Sequence, residues 1–388
     1  MARAKRPAST AAKVSESETG GTLIVDLAAI AANWRALARR LRAAECGAVV
    51  KADGYGLGLA SVTATLAKAG CKTFFVADLA EARTVRAHAR QATIYVLNGF
   101  APDWAPAFAR INARPVINSA AELAEWDAFV AARRWKGGAA LHVDTGMNRL
   151  GLSPADAIAL APRAQKPNHG FTLLMSHLAC AEIPQHPLNA RQIALFRQLH
   201  GLYPGVPASL ANSSGIFLSD ATHFDMARPG AALYGINPTP CQSNPVKPVV
   251  EFKGRILQIR HVEPEETVGY DATWTAPRPS RIAVVALGYA DGLMRGDSRG
   301  NTANGRAGGS AVIAGQRCPI VGRISMDLTC VDITDAPPGA IHRGDMATLI
   351  GNGITLDEMA ESAGTIGYEI LTRLGPRCHR IYRSGRGS

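Results

Sequence analysis

The chain is poor in the features that would make it a disulfide-stapled, membrane-bound or nucleic-acid-binding protein. Its seven cysteines are odd in number and scattered, at 46, 71, 180, 241, 318, 330 and 378, and no two form a C-x-x-C pair. That spacing argues against a disulfide framework and against a zinc site, and fits a reducing compartment. No segment approaches the ~20 consecutive apolar residues needed to span a bilayer. Residues 1–20 are basic but have no apolar segment behind them, so they are not a secretory signal. Acidic residues are missing from 373–388, where Arg373, Arg377, Arg380, Arg383 and Arg386 stand. Much of the net charge of +11 therefore sits in the two ends, and no basic stripe interleaved with aromatics runs through the middle. The expectation is a cytoplasmic protein that holds no metal and binds neither membrane nor nucleic acid.

What is present is an ordinary core, with 47% hydrophobic and 19% charged residues in 388. That length exceeds one typical domain. Residues 1–20, rich in Ala, Ser, Lys and Glu, read as a disordered tail. From 21 to 247, apolar runs alternate with helix-periodic segments. Thr22–Leu27 leads into a helix over 28–45, where Ile30, Trp34, Leu37 and Leu41 recur at spacings of three and four. Strand candidates follow at 46–52, 73–79, 93–98, 114–118, 139–145, 171–179, 208–213 and 224–232. Strands alternating with helices imply right-handed βαβ units and a parallel sheet. Eight of them predict a closed (β/α)₈ barrel. Prolines 238, 240, 245 and 248 mark a linker. Residues 248–388 then read as a mostly antiparallel β domain, with strands at 251–262, 281–290, 311–314, 319–333 and 346–350. A helix over 355–362 opens with a capping box formed by Thr355 and Glu358.

The stretch Ala48–Gly58, AVVKADGYGLG, delivers one lysine at the end of an apolar strand and then breaks into glycines. Burial disfavours the charged amine, and desolvated lysines form Schiff bases with carbonyl compounds. Taken alone, Lys51 could equally snorkel to the surface. The other strand ends change the balance, because barrel chemistry lies there. They carry Leu97, Arg149, His177, the cluster Asn212-Ser213-Ser214 and the turn Arg228-Pro229-Gly230. Singly, His177 would be a core histidine and Asn212–Gly215 a helix cap. Together they make a cationic mouth rich in donors. The loops after strands seven and eight are the usual phosphate site of this fold. A phosphate site and a Schiff-base lysine in one barrel point to pyridoxal phosphate.

These residues lie within nine ordered motifs: AVVKADGYGLG, VDTGMNRLG, SHLACA, ANSSG, ARPGAALYG, VGYDATW, LGYADGLMR, VGRISMD and GYEILTRLG. Together they resemble alanine racemase, a fold-type III pyridoxal phosphate enzyme, from about Thr22 to Arg383. The resemblance implies a homodimer in which one subunit's barrel and the other's β domain share each site. It implies that Lys51 carries the cofactor, and that Tyr55, Ser213, Gly230, Ala231 and Tyr368 hold its phosphate. Arg149 would bond its phenolic oxygen, His177 would pack on the ring, Leu97 would line the pocket, and Arg228 would face the pyridine nitrogen. From the partner would come Tyr270 as second base, Met326 and Asp327 to place the substrate carboxylate, and Tyr289 to narrow the entrance. One departure is visible: His142 stands where many members have a lysine, often carbamylated, that orients the arginine. Either an anion or His142 itself would hold Arg149 instead.

Moving a proton from one face of an α-carbon to the other calls for two acid–base groups, here Lys51 and Tyr270. By the resemblance the lysine serves the D-isomer, the tyrosine the L-isomer, and the product supplies peptidoglycan. A racemase for serine or for a broader range is the alternative. A same-fold decarboxylase would want an acid where Arg228 stands, and a non-catalytic pyridoxal phosphate carrier would not need the β domain.

Overall fold

The computed structural model describes residues 15, 18–135, 137–240, 242–298, 300 and 308–385. The tail expected at 1–20 lies outside them at 1–14, 16 and 17, as do Cys241, Arg386 and the turn expected at Gly305. The chain divides into two compact units, one of residues 26–249 with the last few residues and one of residues 250–382 with residues up to 25.

The first unit is the barrel. Ala48–Val49, Thr73–Val76, Thr93–Val96, Arg114–Ile117, Ala139–His142, Phe171–Met175 and Ala208–Ser209 form a parallel sheet in sequence order. Met226–Ala227 closes the circuit. It pairs in parallel with Glu45–Cys46, while the Asp225 and Arg228 N–H groups donate to Ala208 O and Ala211 O at 3.0 and 2.9 Å. All eight expected strands are present, Arg114–Ile117 included, but each is shorter than its apolar run. Strands buried on both faces read as continuous apolar runs, and such a run does not show where pairing stops. Phe75, Tyr95, Val116, Ala140, Leu173, Met175 and Met226 fill one core cluster, with Val49 and Leu97 packed against it.

Helices such as Leu59–Ala69, Leu79–His88 and Ala120–Arg133 intervene. Each of the last two begins on a side-chain cap, Asp78 and Ser119 respectively, which satisfies N–H groups that have no intrahelical partner. The first helix runs over Leu27–Leu41, capped by Asp26.

The second unit is built on the 13-residue strand Val250–Val262, whose register slips between Ile256 and Gln258. This strand pairs antiparallel with Met346–Ile350, with Ser280–Val285 and with Gly21–Asp26. The run at 22–27, expected with the barrel, thus belongs to the β sheet. Its partner lies more than two hundred residues away, beyond any local pattern. The strand expected at 319–333 is two, Gln316–Val321 and Thr329–Asp332, separated by a turn at Gly322 with φ +66°. The helix Leu356–Ala363 has Thr355 as N-cap, its hydroxyl accepting the Glu358 N–H at 3.1 Å. The reciprocal half of the box gives way to an ion pair between Glu358 and Arg317.

Among the described residues, no helix is long and apolar enough to cross a membrane.

Candidate active site

Lys51 lies just beyond Ala48–Val49 and opens a short turn rather than ending the strand. Ala52, Asp53, Gly54 and Tyr55 all have left-handed backbone, with φ of +55°, +53°, +64° and +57°. Lys51 is exposed in the single chain, yet desolvation by the surrounding protein and then the nearby Arg149 guanidinium hold its amine below the ordinary range, while Glu81 opposes them. The chain's path after Lys51 turns Tyr55 inward, where it stacks on Tyr234 with ring centroids 4.4 Å apart. Tyr234 Oη in turn donates to Val49 O at 3.1 Å, so the two rings brace the strand that delivers the lysine. Burial pushes the Tyr55 phenol up, so it is a neutral donor.

On the far side of Tyr55 lies the turn after Met226–Ala227. A methyl on Gly230 would fall 2.2 Å from Tyr55 Oη, so glycine leaves the room that brings phenol and backbone together. Ser213 fixes the same turn, its Oγ accepting the Gly230 and Ala232 N–H groups at 3.0 and 3.1 Å. Both bonds use the hydroxyl as acceptor, which leaves its proton for a further acceptor in a buried place. Asn212 commits its Oδ1 to the Gly215 N–H at 2.8 Å.

Arg228 is 4% exposed. Its guanidinium donates to Ser209 O and Oγ at 2.8 and 2.6 Å and to Ser176 O at 2.6 Å. Burial lowers it to about 10, so it keeps its charge at neutral pH. It also approaches His177 Nδ1 to 3.5 Å. Burial and then the Arg228 charge push His177 down to about 3, so the ring is neutral. With Arg228 donating at Nδ1, the ring proton belongs on Nε2.

His142 is likewise neutral, pushed down to about 4 by burial and Arg228. The Asn118 amide donates to Val116 O and Leu97 O at 2.9 and 3.3 Å, which turns its Oδ1 toward His142 Nδ1 at 2.8 Å. That nitrogen must carry the hydrogen, so Nε2 presents a lone pair on the side of the ring away from Asn118. Arg149 is exposed, and its charge adds to the effects that keep His142 neutral.

Ten of the expected residues, Lys51, Tyr55, Leu97, Arg149, His177, Asn212, Ser213, Arg228, Gly230 and Ala231, thus share the C-terminal end of the barrel. The other five lie on the β unit. There Tyr289 N–H donates to Ser325 O and Ala290 N–H to Met326 O, each at 3.0 Å, joining two of the expected loops. Arg377 links Asp327 at 2.7 Å with Asp291 at 3.3 Å. Tyr270 stands on a short turn and is 64% exposed. Tyr368 lies in the helix Gly367–Arg373, half-buried.

Residues 25–238 match the family model of the alanine racemase N-terminal domain, and 249–382 that of the C-terminal domain. The chain belongs to the alanine racemase family. It is 54% identical to an alanine racemase of Methylobacterium nodulans, over 95% of this chain and 98% of that one. A catabolic alanine racemase of Mesorhizobium japonicum is 46% identical over 96% of both chains. Among solved alanine racemases, the Bartonella henselae enzyme with covalently bound pyridoxal phosphate superposes with TM-score 0.87 at 37% identity. It covers 94% of this chain and 100% of its own. The biosynthetic enzyme of Pseudomonas aeruginosa gives TM-score 0.87 at 35% identity over the same shares.

Sequence reasoning passed over Asn118, Ser209, Tyr234 and Glu81 in this alanine racemase site. Tyr234 lies inside one of the nine motifs, and Asn118 stands at an expected strand end, so both were within reach of the same reading. Ser209 and Glu81 act through contacts that no local pattern announces.

Proposed function

We propose that the chain interconverts L- and D-alanine with pyridoxal phosphate, in a homodimer whose sites are shared between subunits. The observation that carries this is one cluster in the barrel: a lysine with a weakened hold on its proton, beside a donor cradle whose buried Ser213 proton awaits an acceptor. The donor set fits the cofactor. Tyr55, Ser213 and the Gly230–Ala231 backbone would hold its phosphate, with Tyr368 as a further donor, and Lys51 would hold it covalently. When bound, the cofactor supplies an electron sink for the charge left on an α-carbon that loses its proton.

The chain's own groups would do the rest. Lys51 Nζ would exchange a proton with one face of the α-carbon, and Tyr270 of the partner subunit would serve the other face. A neighbouring donor favours a phenol's charged form. The His177 Nε2–H, oriented by Arg228, is suited to be that donor. Arg228 would also face the pyridine nitrogen, where a fixed positive charge discourages protonation. That restrains the electron sink and disfavours decarboxylation. Arg149, Met326 and Asp327 would orient the substrate and Tyr289 would limit its size. The cellular role would be D-alanine supply for peptidoglycan in the cytoplasm.

Purified protein should absorb as a pyridoxal Schiff base, racemise alanine, and take solvent deuterium into the α-carbon. Lys51→Ala should lose both absorbance and activity, and Tyr270→Ala should lose activity while keeping the cofactor. Racemisation by Lys51→Ala at the wild-type rate would sink the proposal. A panel of L-amino acids would separate strict alanine use from a serine or broad-range enzyme.

A further inference from the structure

Three of the four left-handed residues after Lys51 are not glycine, and each such residue costs roughly 1–2 kcal/mol. Backbone bonds offset part of this, from the Gly54, Gly56 and Gly58 N–H groups to Val50 O, Ala52 O and Asp53 O at 2.9, 2.7 and 2.8 Å, and side chains add to them. On one side Asp53 Oδ1 accepts the Leu59 N–H at 2.8 Å. On the other stands Glu81, in the first turn of the helix Leu79–His88, with its own N–H donated to Asp78 Oδ1 at 3.0 Å. Its Oε2 accepts the Ala77 N–H at 2.8 Å, immediately past Thr73–Val76, and its Oε1 accepts the Asp53 N–H at 3.4 Å. One carboxylate thus spans a strand end and the turn that carries Lys51.

Its charge matters as well. The groups that act on the Lys51 amine are Arg149, from the loop after Ala139–His142, and Glu81. His177, on the loop after Phe171–Met175, also lies within electrostatic reach but is neutral. We propose that Glu81 is a positioning residue for Lys51: its carboxylate pins the left-handed turn to the neighbouring strand and offsets the charge of Arg149. This rests on Lys51 being the site of covalent attachment.

The two roles separate by substitution. Glu81→Gln keeps an acceptor for Ala77 but loses the charge, and Glu81→Ala loses both. Adding Ala52→Gly to Glu81→Ala relieves left-handed strain without restoring charge. The full-length chain, stripped of cofactor, would be titrated with pyridoxal phosphate by absorbance. Reactivity of Lys51 toward acetic anhydride would be mapped against pH by peptide mass spectrometry.

Glu81→Ala should weaken pyridoxal phosphate binding roughly tenfold, the size of one charge-assisted hydrogen bond. Ala52→Gly should recover part of that loss. In both Glu81 variants the midpoint of Lys51 reactivity should move to lower pH, because the charge that favours the protonated amine is gone. An unchanged midpoint in both variants would overturn the proposal, whatever happens to affinity, since a purely structural contact would not move it. Lys51→Ala is the separate control. If it kept the Schiff-base absorbance, the attachment reading itself would fail, independently of Glu81.

Discussion

A methyl group on Gly230 would approach Tyr55 Oη to 2.2 Å and Val49 Cβ to 3.4 Å. Neither neighbour can retreat easily, since Tyr55 stacks on Tyr234 and Val49 O accepts the Tyr234 hydroxyl. The backbone of Gly230 has φ −125°, outside the left-handed region, so the approach to Tyr55 is the main obstacle to alanine. Gly230→Ala should therefore cost about 1–3 kcal/mol in stability through overpacking. It should lower pyridoxal phosphate affinity by more than it lowers stability, because the displaced Tyr55 hydroxyl is itself an expected phosphate donor. Denaturant unfolding and equilibrium dialysis read the two effects separately. Equal, small changes in both would mean that Tyr55 finds another place.

At the scale of elements, the helix Leu356–Ala363 is docked on a buried acid. Ser362 Oγ donates to Asp297 Oδ1, while Oδ2 has no partner among the described residues. Burial pushes the Asp297 carboxyl up to about 6, so the folded chain prefers the protonated form. That preference stabilises fully below the ordinary aspartate value near ~3.9 and is lost as pH rises through about 6, a swing on the order of 3 kcal/mol. Asp297→Asn should flatten the fall in melting temperature across this window and be the more stable form above it. Thermal melts across the window check this, and an unchanged slope would show that the carboxyl is relieved some other way.

The barrel strands were legible because parallel strands buried on both faces are nearly continuous apolar runs, as in Thr73–Val76 with every residue buried. The left-handed turn was not, since Ala52 and Asp53 carry no mark of the backbone they adopt. Nor was the place of Gly21–Asp26, whose pairing residues follow two hundred positions later. At the C-terminal end of the barrel, placement was legible for the residues that follow strands directly, Lys51 and His177 among them. It was illegible for Glu81, which bonds the turn after Lys51 from a helix.

At the scale of the whole molecule, the expected second base is the informative residue. A tyrosine meant to work against a neutral, partly buried histidine is out of place at 64% exposure, yet that is where Tyr270 stands in the single chain. Met326, Ile366 and Tyr289 on the same β unit are 53%, 60% and 43% exposed. The proposed homodimer with shared sites would bring Tyr270 to a partner's barrel, and it makes a sharp prediction by complementation. Lys51→Ala and Tyr270→Ala homodimers should each be inactive. In a mixed dimer, one site inherits both lesions, while the other joins the intact Lys51 of one subunit to the intact Tyr270 of its partner. Random exchange makes about half the dimers mixed, each with one working site of two, so about a quarter of wild-type activity should return. Recovery should follow the rate of subunit exchange. If mixing restores nothing although exchange is complete, Lys51 and Tyr270 act within one chain, and the exposed β-unit residues need another partner.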